Sequence, residues 1–455
     1  MHVKDDKLME VHIGLDDIDS IKGGCTTHFA VKIAWELYRK GVNFLDYLNI
    51  IRLNPAVPWK TRGNGAVAVR FLARSPEEVK DVWEFLVYEL EDYIGELQDQ
   101  KHQPSIILYE GSVPSEFASI ARKALCDLVP IELVLRVLKN YPNARIHAPR
   151  GKRGIIGAVA AIGYTMKNSD YTYELIAYRK REYWGEPRLV DESSVREMDK
   201  DYGKYTFLNY DYSENRVLIT PRGPDPILYG LRGEDPSILL SASKKLRVYE
   251  PIEYIAIFRT NQHTDSHICG VNTICDIRPY MCVSVRGVVK SKPRRGIGGH
   301  LFFNICDDKC CIAVAVYEPT KGFRNIVEQL EVDDDVEALG CIRPPGPTHG
   351  LTLNLEKIKV VKLAQKVIYE NPRCPKCSAR MESAGRGKGF RCPKCGFRDR
   401  SILKTPINIE RQLKQGWYQP PPSAFKHLMK PIARFGRERI SFNEDVIGTF
   451  VFKYE

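Results

Sequence analysis

A chain of 455 residues with 43% hydrophobic and 27% charged side chains has room for roughly three or four globular domains, and its composition excludes a disordered or collagen-like protein. No apolar stretch approaches the roughly 18 to 20 residues of a membrane span, and the opening MHVKDDKLME is polar, so a cytoplasmic protein with no membrane partner is expected. The net charge of +11 belongs to the C-terminal end: residues 371–455 hold 18 Lys and Arg against 7 Asp and Glu, which suits a polyanionic partner.

In chain order, EVHIGL predicts a strand and TTHFAVKIAWELYRKG a helix, with Phe29, Ile33 and Leu37 on one face, Thr26 or Thr27 as N-cap and Gly41 beyond its end. Between them, GLDDIDSIKGGCTT collects Asp16, Asp17 and Asp19 where a strand ends and a helix begins. Carboxylates there could hold magnesium, which takes its other ligands from water and phosphate oxygens. Gly23 and Gly24 allow close backbone approach, and the helix start would offer N–H groups to phosphate beside the Thr26 and Thr27 hydroxyls. A solvated acidic turn is the competing account. An EF-hand starting at Asp17 fails at Ile21 and His28, and no Walker A motif occurs.

LNIIRLN and GAVAVRFLA predict strands, with PEEVKDVWEFLVYELEDYI a helix. The intervening NPAVPWKTRGNGA sets Lys60 and Arg62 beside glycines. IELVLRVLKNY predicts a helix, and IIGAVAAI (155–162), TYELIAY and NRVLIT (215–220) predict strands of a second α+β unit. TPRGPDPILYGLRG holds Asp225 between prolines, and FRTNQHTDSH crowds Arg259 and Asn261 with other polar groups after the strand IEYIAIF. Each of these loops alone is more often a polar turn than a site.

From about Tyr280, MCVSVRGVV, HLFFNIC, CCIAVAVY, VEALGCI and LTLNLEKIKVV predict five strands, with the helix GFRNIVEQL between the third and fourth. That order suits an OB fold, a frequent single-stranded nucleic-acid binder, or another small barrel. Two RCPKC repeats then give Cys374, Cys377, Cys392 and Cys395, a C-x2-C-x14-C-x2-C spacing for one structural zinc. The other nine of the 13 cysteines are expected to be mostly buried thiols, with Cys310 and Cys311 the core and surface residues of one strand. The tail interleaves basic and aromatic residues, among them Trp417, Tyr418, Lys426 and His427, which suits phosphate contact and base stacking.

These segments, in this order, resemble the archaeal agmatidine synthetases that act on the isoleucine tRNA with a CAU anticodon. GLDDIDSIKGGCTT, RLNPAVPWKTRGNGA, RGIIGAVAAIG, TYELIAYR, ITPRGPDPILYGLRG, FRTNQHTDSH and GWYQPPPSAFKHL carry the resemblance. Ile18 stands where the family usually has threonine, and Lys426 where arginine is usual. The resemblance implies a multidomain α+β enzyme: a kinase-like domain (1–118), a ferredoxin-like domain (119–240), a segment joined to the catalytic core (241–275), an OB fold (276–368), a zinc ribbon (369–402) and a basic aromatic tail (403–455). It implies that ATP is split to AMP, that the C2 oxygen of the wobble cytidine is phosphorylated and displaced by agmatine, and that Thr26 is itself phosphorylated.

On that reading Asp16, Asp17 and Asp19 hold magnesium, and Ser20, Gly24, Thr26 and Thr27 complete the ATP site. Lys60 and Arg62 meet phosphate, and Asp225, Arg259, Asn261, Trp417, Tyr418, Lys426 and His427 meet agmatine or tRNA. A non-catalytic RNA or single-stranded DNA binder would explain the C-terminal half and leave the aspartates without a task.

Overall fold

The structure, a computed structural model, describes residues 8–60, 62–97, 99, 101–439, 441 and 449–454. Strand β1 (Met9–Asp16) is buried over most of its length, and α1 (Thr26–Arg39) buries Phe29, Ile33 and Leu37 before Gly41, at φ 76°, ends its excursion. The N-cap is Cys25, neither threonine: its Sγ accepts from the His28 N–H at 3.4 Å. Then come β2 (Asn43–Phe44), β3 (Leu48–Arg52), β4 (Gly65–Ala73), α2 (Pro76–Leu97), β5 (Ser105–Glu110), α3 (Ser115–Cys126), α4 (Ile131–Leu138), β6 (Ala144–His147) and α5 (Arg153–Gly163).

Helix α5 corrects the strand expected at 155–162. A short apolar run fits a buried helix as well as a buried strand, and here small residues decide. Gly154, Gly157, Ala158 and Ala161 let the helix lie directly on the sheet, so close that a Cβ on Gly14 would stand 2.2 Å from the Ala158 carbonyl oxygen.

Further along are β7 (Thr172–Arg179), α6 (Glu192–Tyr202), β8 (Tyr210–Asp211), β9 (Arg216–Val217), β10 (Ile227–Gly233), α7 (Pro236–Ser243) and β11 (Ile252–Thr260). Of the strand expected at 215–220, only Arg216–Val217 forms. β7, β10 and β11 do not build a separate sheet. β11 runs parallel beside β3, with Phe258 opposite Leu48, and one sheet continues in the order β10-β7-β11-β3-β4-β1-β5-β6.

The second large sheet contains β12 (Cys269–Gly270), β13 (Cys282–Arg295), β14 (Leu301–Cys306), β15 (Cys311–Val316), β16 (Asp335–Arg343) and β17 (Thr352–Lys362), with α8 (Gly322–Val327) after β15. Pairing runs β13-β14-β15-β17-β16 and returns to β13, closing a ring around Val285, Phe303, Val314 and Leu353. β18 (Lys366–Glu370) pairs with β22 (Thr405–Ile409) as a two-stranded stalk. It carries the cysteine quartet among β19 (Glu382–Ser383), β20 (Phe390–Arg391) and β21 (Arg398–Asp399). The tail returns to both bodies: β23 (Gly416–Tyr418) pairs with β17, and β24 (Val451–Lys453) pairs with β11.

The expectation of free thiols outside the quartet fails for eight cysteines, which form the disulfides Cys126–Cys269, Cys275–Cys310, Cys282–Cys341 and Cys306–Cys311. Cys282 faces Cys341, and Cys306 faces Cys311, across paired strands, so strand register places the sulfurs together. Cys310 precedes β15 and bonds elsewhere, so the adjacent pair is not a core residue and a surface residue of one strand. Intracellular disulfides of this density occur in hyperthermophiles. No described helix is long and apolar enough to cross a membrane.

Candidate active site and zinc centre

β1 ends at Asp16, and Asp17 follows with φ 57°, a left-handed conformation that aspartate tolerates better than most residues. Asp17 Oδ2 accepts from Arg153 Nε at 2.8 Å and from the Gln103 N–H at 3.1 Å, while its Oδ1 is buried with no hydrogen-bond partner among the described residues. Burial, opposed by Arg153, pushes the Asp17 carboxyl above the usual range. Burial, then the neighbouring Asp17, drives Asp16 well above it. Two crowded carboxylates, one oxygen unsatisfied, are a donor set that fits a divalent cation.

The Asp16 carboxylate lies against Gly157 of α5, where a Cβ would fall 2.0 Å from Oδ2. Gly157→Ala should therefore displace Asp16 and lower ATP-dependent turnover by about tenfold or more at an unchanged fold; near-wild-type turnover with normal circular dichroism would show that the placement of Asp16 is immaterial.

Beside these carboxylates opens a cavity of about 500 Å³. Leu53, Val57, Trp59, Leu128, Val129, Pro130, Ile131 and Ile156 give it an apolar wall, and Lys60, Lys152 and Arg153 a cationic one. The α5 start borders this cavity with its positive dipole end, and its first N–H, that of Arg153, is capped by Gln103 Oε1 at 3.1 Å. The start of α1, where the sequence points for phosphate, and the start of α5 are thus two helix N-termini close to the acidic loop. Residues Gln103, Lys152, Arg153 and Gly157 were missed, although GKRGIIG, a basic pair between glycines at a helix start, is the signal that could have exposed them.

The other acidic-loop residues stand on the α1 side. Thr26 is 1% exposed, and its hydroxyl donates to Asp19 Oδ2 at 2.8 Å while accepting from the Ile18 N–H. Ser20 donates to Asp99 at 2.7 Å, Thr27 lies 3.3 Å from Cys25 Sγ, and Gly24 at φ 75° packs against Leu97. Lys60 Nζ donates to the Val57 carbonyl, and burial with the nearby Lys426 lowers its pKa. The Arg62 side chain lies outside the described residues.

Several expected substrate contacts already have partners within the fold. Arg259 and Asn261 have no exposed surface. Arg259 pairs with Asp46 at 3.0 Å above the Tyr171 ring, and Asn261 brackets the Arg52 backbone through both N–H and C=O. Asp225 pairs with Arg188 at 3.2 Å, next to the acidic loop, where Pro224 O approaches Gly23. Trp417 and Tyr418 are half-buried on β23, with Lys359 over the Trp417 ring. Lys426 pairs with the buried Glu356 at 2.8 Å, and His427 bonds Gln262 at 3.1 Å.

Burial would raise the Glu356 carboxyl, but Lys426 and His267 outweigh it and hold it well below the usual range. A carboxylate depressed in the folded state gives stability that is full above its unfolded pKa of about 4.3 and is lost as pH falls below it. The melting temperature should therefore drop between about pH 5 and pH 3, and less steeply in Glu356→Gln; parallel profiles would remove this linkage.

The four quartet sulfurs lie within 4.8 Å of one another, with Cys374 and Cys395 Sγ 3.5 Å apart and Cys377 and Cys392 Sγ 3.4 Å apart. Four thiolates match a closed tetrahedral zinc shell. One zinc per chain is expected by metal analysis, and chelation should melt the ribbon around Met381 and Phe390 while the large sheets persist; a metal-free, chelator-indifferent protein would refute this. Arg386, Lys388, Arg391, Lys394 and Arg398 are exposed around it.

Domain families described as TiaS TCKD, TiaS FLD and TiaS C-terminal zinc ribbon match residues 12–147, 152–267 and 371–413. The chain is 47% identical to the 2-agmatinylcytidine synthetase TiaS of Staphylothermus marinus, an enzyme named for the second isoleucine tRNA, over 96% of both chains. It is 40% identical to the same synthetase of Archaeoglobus fulgidus over 94% of this chain and 99% of the relative. Among solved structures, the complex of TiaS with that tRNA and ATP aligns with a TM-score of 0.83 at 36% identity. The complex of TiaS with the tRNA, AMPCPP and agmatine aligns with 0.81 at 35%, and each alignment covers 94% of this chain and 98% of the other. With likeness running through nearly the full length of both partners, the chain belongs to the TiaS family of isoleucine-tRNA 2-agmatinylcytidine synthetases.

Proposed function

We propose that this protein joins agmatine to C2 of the wobble cytidine of the isoleucine tRNA with a CAU anticodon, at the expense of ATP. One observation supports the chemistry above all: a 500 Å³ cavity sets Asp16 and Asp17 against Lys152, Arg153 and the α5 start, with an apolar wall large enough for a nucleobase. ATP would be held in this cavity, with Trp59 and Ile156 offering an apolar surface for the base and Lys60, Lys152 and Arg153 charge for the phosphates. Magnesium, held by Asp16 and Asp17, supplies charge neutralisation on the phosphates when bound. Asp19 and Thr26 stand on the α1 side of the acidic loop, where Asp19 accepts the Thr26 hydroxyl hydrogen and would take that proton if Thr26 receives phosphate.

A carbonyl oxygen is a poor leaving group, and phosphorylation at C2 lets the agmatine amine displace it. The guanidinium end of agmatine lies toward Asp225, which must then share its carboxylate with Arg188. The closed β13–β17 ring is an OB fold, the β7–β11 half is ferredoxin-like, and these with the basic ribbon hold the tRNA in the cytoplasm. Incubation with this tRNA, ATP and labelled agmatine should place one agmatine on the anticodon loop by mass spectrometry, with ATP consumed only when both partners are present. An unlabelled anticodon and no ATP use would leave a nucleic-acid binder.

A further inference from the structure

On the far side of the 54–64 loop from the cavity, three cationic or basic side chains converge from three segments. Arg52 comes from the end of β3, Arg232 from β10 and His427 from the tail; none lines the 500 Å³ cavity. A Cβ built on Gly63 would lie 2.5 Å from Arg52 Nη1 and 3.2 Å from His427 Nε2, so both side chains reach the same turn. One carboxylate, Glu174 of β7, serves both guanidiniums, 3.0 Å from Arg232 Nε and 3.8 Å from Arg52 Nη2, and it also accepts from Gln262. Asp19 adds a second, weaker carboxylate influence on Arg52, and the Arg52 and Arg232 side chains are only 11% and 15% exposed.

Two polar atoms here are buried with no hydrogen-bond partner among the described residues: Arg52 Nε and His263 Nε2. Unmade hydrogen bonds are costly in an interior unless a ligand completes them. His427, by contrast, is open to solvent, so the cluster has a mouth, flanked by Lys60 and Lys426. Paired guanidiniums are suited to the oxygens of a phosphate group.

We propose that Arg52, Arg232 and His427 form a phosphate-binding subsite, separate from the nucleotide cavity, that holds a phosphate of the RNA or of the nucleotide during modification. The subsite rests on the enzymatic reading above for its role, but not for its chemistry. Asn261 acts as a positioning residue, because its side chain fixes the backbone from which Arg52 projects.

His427 reports occupancy. Arg52 first, with Arg232 and His263, holds its imidazole well below the usual histidine range in the free protein. A phosphate among these groups should raise its pKa by about 1 or more. The full-length zinc-loaded protein, carbon-13-labelled at histidine and assigned with His427→Gln, is titrated by NMR with inorganic phosphate, ATP or an anticodon stem-loop RNA.

Inorganic phosphate should shift His427 in wild type and in Arg232→Lys, and not in Arg232→Gln. A response to the stem-loop and none to ATP assigns the RNA as the source; the reverse assigns the nucleotide. Arg153→Gln should keep the phosphate response while losing ATP binding, which separates this subsite from the cavity. A wild-type protein that turns over ATP while His427 ignores all three probes overturns the subsite and leaves the proposed reaction intact.

Discussion

Asp17→Ala will cost about 10³-fold in agmatine transfer while tRNA affinity stays within about twofold of wild type. The argument lies in the two oxygens of one carboxylate. Oδ2 is taken by Arg153 and the Gln103 backbone, so it fixes the start of α5; Oδ1 is buried and unsatisfied, the feature of a group that completes its bonding with a ligand. Alanine removes both roles. Asp17→Asn keeps the shape and loses the charge, so comparing the two separates positioning from metal binding. If Asp17→Asn retains full turnover at limiting magnesium, the cation is held elsewhere. If Asp17→Ala also loses tRNA binding, the residue serves the fold instead of the chemistry.

Arg434→Ala should destabilise the protein by about 3–5 kcal/mol, the usual cost of breaking a buried ion pair by removing one partner. The Arg434 side chain is 1% exposed and forks onto Asp170 and Glu234, with further bonds to the carbonyls of His263 and Tyr171. Its loss takes the main partner from two partly buried carboxylates, leaving Asp170 to Lys430 and the Arg439 N–H and Glu234 to Arg439, and unpins the tail between β23, seated on the ring, and β24, seated on the large sheet. Lysine, a point charge, should rescue little of this. Chemical denaturation with separate probes for the two bodies checks it; a midpoint within experimental error of wild type would show the tail to be dispensable.

The same contacts change what a deletion means. Removing residues 371–455 takes away Arg434, β23 and β24 and so damages the fold. Excising the ribbon alone, at the β18–β22 stalk, isolates the contribution of its basic surface to RNA affinity.

What could be read from the sequence was local. The β1–loop–α1 unit, the five-strand series and the quartet declare themselves within short stretches, because their periodicity and spacing are set by neighbours along the chain. The remainder depended on contacts between distant positions. Asp17 meets Arg153 across 136 positions, and His427 meets Gln262 across 165. The run at 155–162 read as a strand because burial on all sides erases periodicity, and only its packing on Gly14 explains the small residues. The disulfides needed strand register, and Arg259 and Asn261 looked like surface polarity because nothing in FRTNQHTDSH announces a buried network.

The parallel seam between β3 and β11 also bears on how substrate gets in. A hinge there would have to tear backbone hydrogen bonds, so the two halves move as one piece. Access to the cavity then depends on what borders it, including Trp59 and Lys60, while Gly63, a few residues on, approaches Arg52 and His427. The cavity and the Arg52–His427 cluster thus share a stretch of backbone.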